Sequence, residues 1–263
     1  MDLELNGKVA IITGGSKGIG KAIAQELGQE GVKLVIAARS KDVLEQSAKD
    51  LESSTGQSVL TVQADTTKWS DVQNIANQAI NTFGKIDILI NSAAMVGGQV
   101  RGNIDEAQET DLIEDLDTKV VGYFRAIKAV VPHMRKQQWG RIISIGGVSA
   151  RQSSIYGLRN AAVMHMTKTL SDQLGPDGIT LNVIHPGSTR TELIQERLQE
   201  RAKAQGISLE DLIKQNSQNV AIRRIIDAKE LGYLAAFLCS PKAECVTGES
   251  ISASGGSIGS VFQ

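Results

Sequence analysis

The chain has 263 residues, 41% hydrophobic and 22% charged, with 28 basic against 29 acidic side chains and a formal net charge of -1. That composition is ordinary for a globular protein and supports a full hydrophobic core, which excludes extended disorder. Near-neutrality gives no global field to attract nucleic acid or an anionic membrane, and no stretch reaches the ~20 apolar residues of a membrane span. The start, Met1-Asp2-Leu3-Glu4, lacks the basic and apolar regions of a signal peptide, so a cytoplasmic protein is expected. Cys239 and Cys245 have no Cys/His cluster around them, and no metal-ligand spacing occurs; they read as reduced, structural residues.

In chain order, short β-branched runs at 9–12, 33–37, 59–62, 86–90, 141–145 and 180–184 read as buried strands bounded by Gly, Asp or Pro. Between them, 17–29, 41–53, 70–83, 111–135 and 155–174 carry helical periodicity. A helix over 229–239 and a short strand over 250–253 close the series. Two-sided apolar strands alternating with helices predict an α/β fold, a Rossmann-type doubly wound parallel sheet with helices on both faces. No repeat or linker interrupts it, so 1–263 reads as a single domain. The polar helical segment 191–219 breaks the alternation. It leaves the sixth strand where the ligand crevice opens, so it is expected to cover a substrate pocket; a solvated surface helical pair is the plainer alternative.

The first strand runs into Thr13-Gly14-Gly15-Ser16-Lys17-Gly18-Ile19-Gly20 and then a helix. Gly14 permits the tight turn, Gly18 lets backbone approach a pyrophosphate, and Gly20 lets the helix pack close to the sheet. The helix N-terminus offers free N–H groups to phosphates. Strand–turn–helix is the context in which this glycine spacing signifies dinucleotide binding. The second strand ends Ala37-Ala38-Arg39-Ser40, without the carboxylate that usually holds the ribose hydroxyls of NAD. Arg39 can clamp a 2′-phosphate, and Lys17 adds charge nearby, so the cofactor reads as NADP(H).

These motifs resemble the short-chain dehydrogenase/reductase family over nearly the whole chain. The turn matches Thr-Gly-x-x-x-Gly-x-Gly, and Asp65 matches the family's acid after the third strand, which contacts adenine. Asn91-Ser92-Ala93-Ala94 matches Asn-Asn-Ala-Gly with two departures. Pro186-Gly187-Ser188-Thr189-Arg190-Thr191 matches the segment that holds the nicotinamide amide, and Cys245-Val246-Thr247-Gly248-Glu249 and Ser254-Gly255-Gly256 match the tail. The cofactor shell implied by the turn and the resemblance is Gly14, Ser16, Lys17, Gly18, Ile19, Gly20, Arg39, Asp65, Thr66, Asn91, Ala93, Pro186, Gly187, Thr189 and Thr191.

The active centre departs from the family's Asn, Ser, Tyr and Lys. Tyr156 is present, but the lysine four residues on is Asn160. The strand motif ends Ile145-Gly146-Gly147 without its serine, the following loop is short, and the asparagine position falls on Lys119. An unassisted tyrosine, with an ordinary pKa of ~10, is a weak base at neutral pH. Lys119 is the expected replacement cation, which makes Tyr156 and Lys119 the candidate catalytic residues. Arg159 could bind an anionic substrate or face solvent, and Arg151 is a second candidate anion contact. Ser149, Ser153 and Ser154 are candidates for the missing serine. His185, His133 and His165 read as packing residues rather than bases. Ala94, Met95, Val96, Val148 and Ile155 are expected to give the pocket an apolar lining.

The resemblance implies an NADPH-dependent oxidoreductase of the carbonyl reductase or alcohol dehydrogenase type, acting on a small, partly apolar substrate. The altered centre keeps an alternative open: a protein that binds NADP(H) but has other chemistry, or serves as a sensor or scaffold. A protein with no cofactor at all is disfavoured by the intact turn. A homotetramer or homodimer is implied by resemblance alone. The faces Val120, Val121, Phe124, Ile127, Val131, Ala162, Met166 and Leu170 suit either assembly or packing on the sheet.

Overall fold

A computed structural model describes residues 1–95, 98, 100, 103–152 and 154–256. Val96 and Ser153 lie outside the described residues. The elements follow in chain order as β1 (Val9–Thr13), α1 (Gly18–Gln29), β2 (Lys33–Ala38), α2 (Lys41–Thr55), β3 (Val59–Gln63), α3 (Trp69–Phe83) and β4 (Ile88–Asn91). Then come α4 (Glu109–Leu116), a π-helical turn (Asp117–Val121), α5 (Gly122–Gln137), β5 (Gly140–Ile145), α6 (Gly157–Leu174) and β6 (Ile179–Pro186). The chain closes with β7 (Thr189–Arg190), α7 (Glu192–Gln205), α8 (Leu209–Ser217), β8 (Ile226–Asp227), α9 (Ala228–Cys239) and β9 (Ser250–Ala253).

Seven strands form one parallel sheet in the order β3-β2-β1-β4-β5-β6-β9. The order reverses between β1 and β4, which opens the ligand crevice of a doubly wound fold at their carboxyl ends. Alternate residues of each strand enter opposite cores. Ala10 and Ile12 of β1 pack with Ile23 and Leu27 of α1 and Leu231 of α9, while Val9 and Ile11 pack with Ile75 of α3 and Ile127 of α5. Both faces are dry, which is why these strands are apolar at every position. No helix among the described residues is long and apolar enough to cross a membrane.

Two features differ from the sequence expectations. The helix expected over 111–135 is continuous in extent but broken in geometry, because the π turn between α4 and α5 adds a local bulge that rotates Lys119 into the interior. β7, just before the polar segment, pairs with β8, just after it, as a separate two-stranded ribbon, and α7 and α8 lie between them as two helices. Of the residues left between assembly and the sheet, Ile127 and Val131 are buried on the sheet whereas Val121 and Phe124 are exposed. Cys239 is buried at the end of α9, where burial pushes its thiol up to about 12, and Cys245 is exposed.

The glycine turn is fixed by close approach. Gly14 has φ +69, and a Cβ on Gly20 would lie 2.3 Å from the Gly14 carbonyl oxygen. Nothing flexible lies between them, so Gly20→Ala must push α1 off the turn. It is expected to lower unfolding stability by about 1–3 kcal/mol, the usual cost of overpacking; urea unfolding with an unchanged midpoint would contradict this packing.

Candidate active site

A cavity of about 440 Å³ opens along the carboxyl edge of the sheet, a size that suits a small-molecule ligand. At one end its wall is the turn, with Gly14, Ser16, Lys17, Gly18 and Ile19, then Arg39 at the end of β2 and Asp65-Thr66 after β3. Ala93, Pro186, Gly187, Thr189 and Thr191 continue the wall toward Tyr156 and Lys119. The structure thus gathers nearly the whole expected cofactor shell and both expected catalytic residues around one space. Gly20 and Asn91 stand behind the wall. Gly20 packs on the turn, and Asn91 is fully buried with its amide donating to Ser144 Oγ at 3.4 Å.

The turn already carries an anionic group, which suits it to a phosphate. The Gly18 N–H donates to a carboxylate oxygen of Glu192, Oε2, at 3.2 Å, so an anion already sits on the amide that opens α1. Arg39 is exposed at the mouth, and no acid stands beside it on β2. Asp65 is shaped by its neighbours. Burial pushes its carboxyl up, but the Thr67 N–H (3.0 Å) and hydroxyl (2.8 Å), with Arg39 nearby, overcome this and hold it below the usual range. The groups needed to hold a phosphorylated dinucleotide are present and mutually arranged.

The other end of the cavity is rearranged. Lys119 is buried on the π turn, and its Nζ donates to Asn160 Oδ1 at 2.7 Å and to the Gly146 carbonyl at 2.9 Å. Asn160 passes the chain on, its Nδ2 donating to Ser149 Oγ at 2.8 Å. Burial, reinforced by the Arg159 charge and opposed by Asp115, pushes the Lys119 amine well below the usual lysine range.

The cation on Tyr156 among the described residues is Arg159. Its Nη2 donates to Tyr156 Oη at 2.8 Å and to the Met95 carbonyl at 3.1 Å, and its Cζ lies 4.4 Å from the ring centroid. Nη1 donates to Asp115 Oδ1 at 2.5 Å, and both partners of this pair are buried. Arg159 therefore neither faces solvent nor presents a free anion site, the two alternatives that sequence left open. The cavity's second phenol, Tyr123, is spent: its hydroxyl donates to the Ile145 carbonyl at 3.1 Å, and burial raises its pKa above the usual tyrosine value.

The missing side chain at Gly147 has a steric partner. Its φ of 172 is extended backbone open to any residue, but a Cβ there would sit 3.0 Å from Asn160 Nδ2. Ser149 is held by Asn160 and Ser154 accepts from the Gly157 N–H at 3.1 Å; neither lines the cavity. Arg151 reaches Ser250 Oγ at 3.5 Å, outside the wall. Ala94 and Met95 do line it, while Val148 and Ile155 do not. Ser188, Glu192, Leu193 and Ile194 also line it, at the head of the segment expected to cover the pocket. Sequence reasoning did not assign Thr118 and Tyr123 to the wall, and their helical spacing on the way into α5 gave no signal that they face the crevice.

Glycine turn, doubly wound sheet and a tyrosine at the crevice define a dinucleotide-binding oxidoreductase fold, and comparison with known proteins agrees. The family profile described as Enoyl-(Acyl carrier protein) reductase matches residues 14–257. Oxidoreductase UcpA of Salmonella typhimurium is 32% identical over 259 residues, covering 97% of this chain and 95% of that protein. NADPH-dependent reductase BacG of Bacillus subtilis is 31% identical, covering 97% and 99%. L-sorbose reductase from Gluconobacter frateurii, solved with NADPH and L-sorbose, superimposes with a TM-score of 0.93 at 31% identity, covering 99% of this chain and 100% of that one. The chain belongs to the short-chain dehydrogenase/reductase family.

His185 packs as expected, and its position has a measurable consequence. Nδ1 lies 3.0 Å from the Gly147 nitrogen and 2.9 Å from its oxygen, and Nε2 lies 2.9 Å from Ser250 Oγ. Burial, against the Gly147 contact and with Lys119 and Arg151 nearby, depresses its pKa to about 4 from 6.5. Below the unfolded value, the unfolded chain binds a proton that the native ring refuses. The stability from a neutral His185 is thus complete above about pH 6.5 and is lost as pH falls toward 4. Urea unfolding across this window should show a shallower slope of stability against pH in His185→Gln than in the native chain. Equal slopes would contradict a buried neutral imidazole.

Proposed function

We propose that the chain is an NADPH-dependent reductase of small carbonyl compounds, working reversibly as an alcohol dehydrogenase. The observation that carries this reading is that one cavity joins the anion-binding turn and Arg39 to the Tyr156 hydroxyl. NADPH-dependent relatives support the cofactor, and the L-sorbose complex of the similar structure supports a polyhydroxy ketone among the substrates to try.

Bound NADPH would supply hydride chemistry at the carbonyl carbon. Arg39 and Lys17 would hold the 2′-phosphate, the turn amides would hold the pyrophosphate in place of the Glu192 carboxylate now on Gly18, and Asp65 would meet the adenine. Tyr156 donates its hydroxyl proton to the carbonyl oxygen. Lys119, with its third donor, would hold the nicotinamide ribose in place of the lysine that the family normally supplies from position 160. Its amine lies on Asn160 itself, 2.7 Å from Oδ1, so it serves the same corner from the opposite helix. Ala94, Met95, Leu193 and Ile194 give the substrate end its apolar wall. The exposed Val121 and Phe124 are offered to a second copy of the chain in a homodimer or homotetramer. A second reading, a cofactor sensor without turnover, is favoured by the loss of the serine at Gly147.

Two measurements on the same protein decide between them. NADPH is expected to raise the melting temperature more than NADH does, because a ligand that binds only the native state stabilises it. NADPH oxidation should be seen with a panel of ketones and ketoses that includes L-sorbose, and Tyr156→Phe should reduce it by about 10²-fold or more with the thermal shift retained. A thermal shift without turnover on any ketone favours the sensor. No thermal shift overturns both readings.

A further inference from the structure

The lysine that usually accompanies the family's tyrosine is absent at Asn160, and Lys119 gives two of its three donors to Asn160 and Gly146. We propose that Arg159, held in place by Asp115, is the positioning residue of Tyr156: it fixes the direction of the phenol and stabilises the negative charge left on Oη when the proton departs. This rests on the reading that Tyr156 is the proton donor.

Three observations carry the assignment. The first is local geometry. Arg159 follows Tyr156 by one helical turn, so its side chain returns along the same face of α6. One edge of the guanidinium donates to Oη at 2.8 Å while its Cζ lies over the ring, 4.4 Å from the centroid. The Gly98 backbone closes on the same ring; a Cβ there would meet Tyr156 Cδ2 at 2.5 Å. The phenol is thus fixed in position and tilt.

The second is the one-way character of the donor. Arginine has N–H groups and no acceptor. Tyr156 Oη must therefore accept from Nη2, which leaves its own O–H as the group free to point into the cavity. The contact sets the direction of the proton as well as the place of the oxygen. In the step itself, the Tyr156 O–H bond breaks and an O–H bond forms at the substrate oxygen; the hydride that bound NADPH would supply to the carbon balances it to the alcohol. The charge that remains on Oη already has a charge-assisted donor against it. A solvent proton then restores the phenol.

The third is burial. Arg159 is only 2% exposed and Asp115 only 3%, so the pair is desolvated at a cost that its two charges offset only with good geometry. A staple between α4 and α6 would need only the Asp115 contact. Nη2 is directed away from that carboxylate, to Tyr156 and Met95. Asp115 fixes the fork on one side so that the other edge faces the phenol, as an orienting acid does for a catalytic base.

The test uses Arg159→Met and Arg159→Lys in the full chain, with two readouts. The chain has three tyrosines, so protein isotope-labelled at tyrosine Cζ gives a few resolved lines, with Tyr156 assigned by its loss in Tyr156→Phe. In Arg159→Met the Tyr156 line should move while those of Tyr123 and Tyr233 stay, and Arg159→Lys should bring it part of the way back. With a ketone that the native enzyme reduces, kcat should fall by about 10²–10³-fold in Arg159→Met, the usual loss of one donor to a developing oxyanion, with KM for NADPH little changed. Arg159→Lys should recover part of the loss. An unmoved Tyr156 line, or normal kcat in a folded Arg159→Met protein, overturns the proposal and leaves the reductase reading intact. A loss of stability alone, with line and kcat unchanged, marks a staple and overturns it too. If Arg159→Met does not fold, Asp115→Asn should move the same line and lower kcat in the same direction; no effect there overturns the proposal. A native protein that reduces no ketone overturns the reductase reading and this proposal together.

Discussion

A lysine buried against the end of the sheet is the constraint to which the whole catalytic end answers. A desolvated amine must find acceptors, and Lys119 finds the Gly146 carbonyl and Asn160 Oδ1. Asn160 can accept from Lys119 only with its amide nitrogen turned the other way, where Ser149 Oγ receives it. The amide then occupies the space beside Gly147 that a side chain would need, and Gly146 is closed in from its other side, where a Cβ would lie 2.5 Å from His185 Nδ1. The glycine pair, the asparagine and the displaced lysine are therefore one arrangement, and changing any member disturbs the others.

The cofactor end shows none of this. Its turn, its arginine and its acid lie on a regular doubly wound sheet, each at the carboxyl end of a strand. Separating binding from chemistry in this way is physically natural. The proposed phosphate cradle is made of backbone N–H groups and needs only the fold, whereas the proposed proton donor, Tyr156, depends on side chains contributed by three different helical segments.

That division also explains what could be read from the sequence. The strands were legible because a two-sided buried sheet demands β-branched residues at consecutive positions, as in β1 and β2, and the observed ends differ from the expected ones by only a few residues. The glycine turn was legible because Gly14 and Gly20 are forced by contact, so the spacing itself carries the geometry. The π turn was not legible, because no Gly or Pro marks Asp117–Val121; only the packing shows that Lys119 is carried inward. The ribbon of β7 with β8 was too short to leave a pattern. Arg159 was read as either binding an anionic substrate or facing solvent because Asp115 lies 44 positions away, and only the folded chain brings the two together.

If the central account is right, lysine and asparagine have exchanged places across one hydrogen bond, and the arrangement can be returned to the family's usual one. The direct measurement is a double-mutant cycle on thermal stability and NADPH-dependent turnover. Lys119→Asn removes the donor, and Asn160→Lys puts two amines and Arg159 into one buried space, so each single change should lose both quantities. The combined Lys119→Asn, Asn160→Lys protein should regain most of both, a large favourable coupling between neighbours. A double variant no better than the sum of its single changes would contradict the exchange.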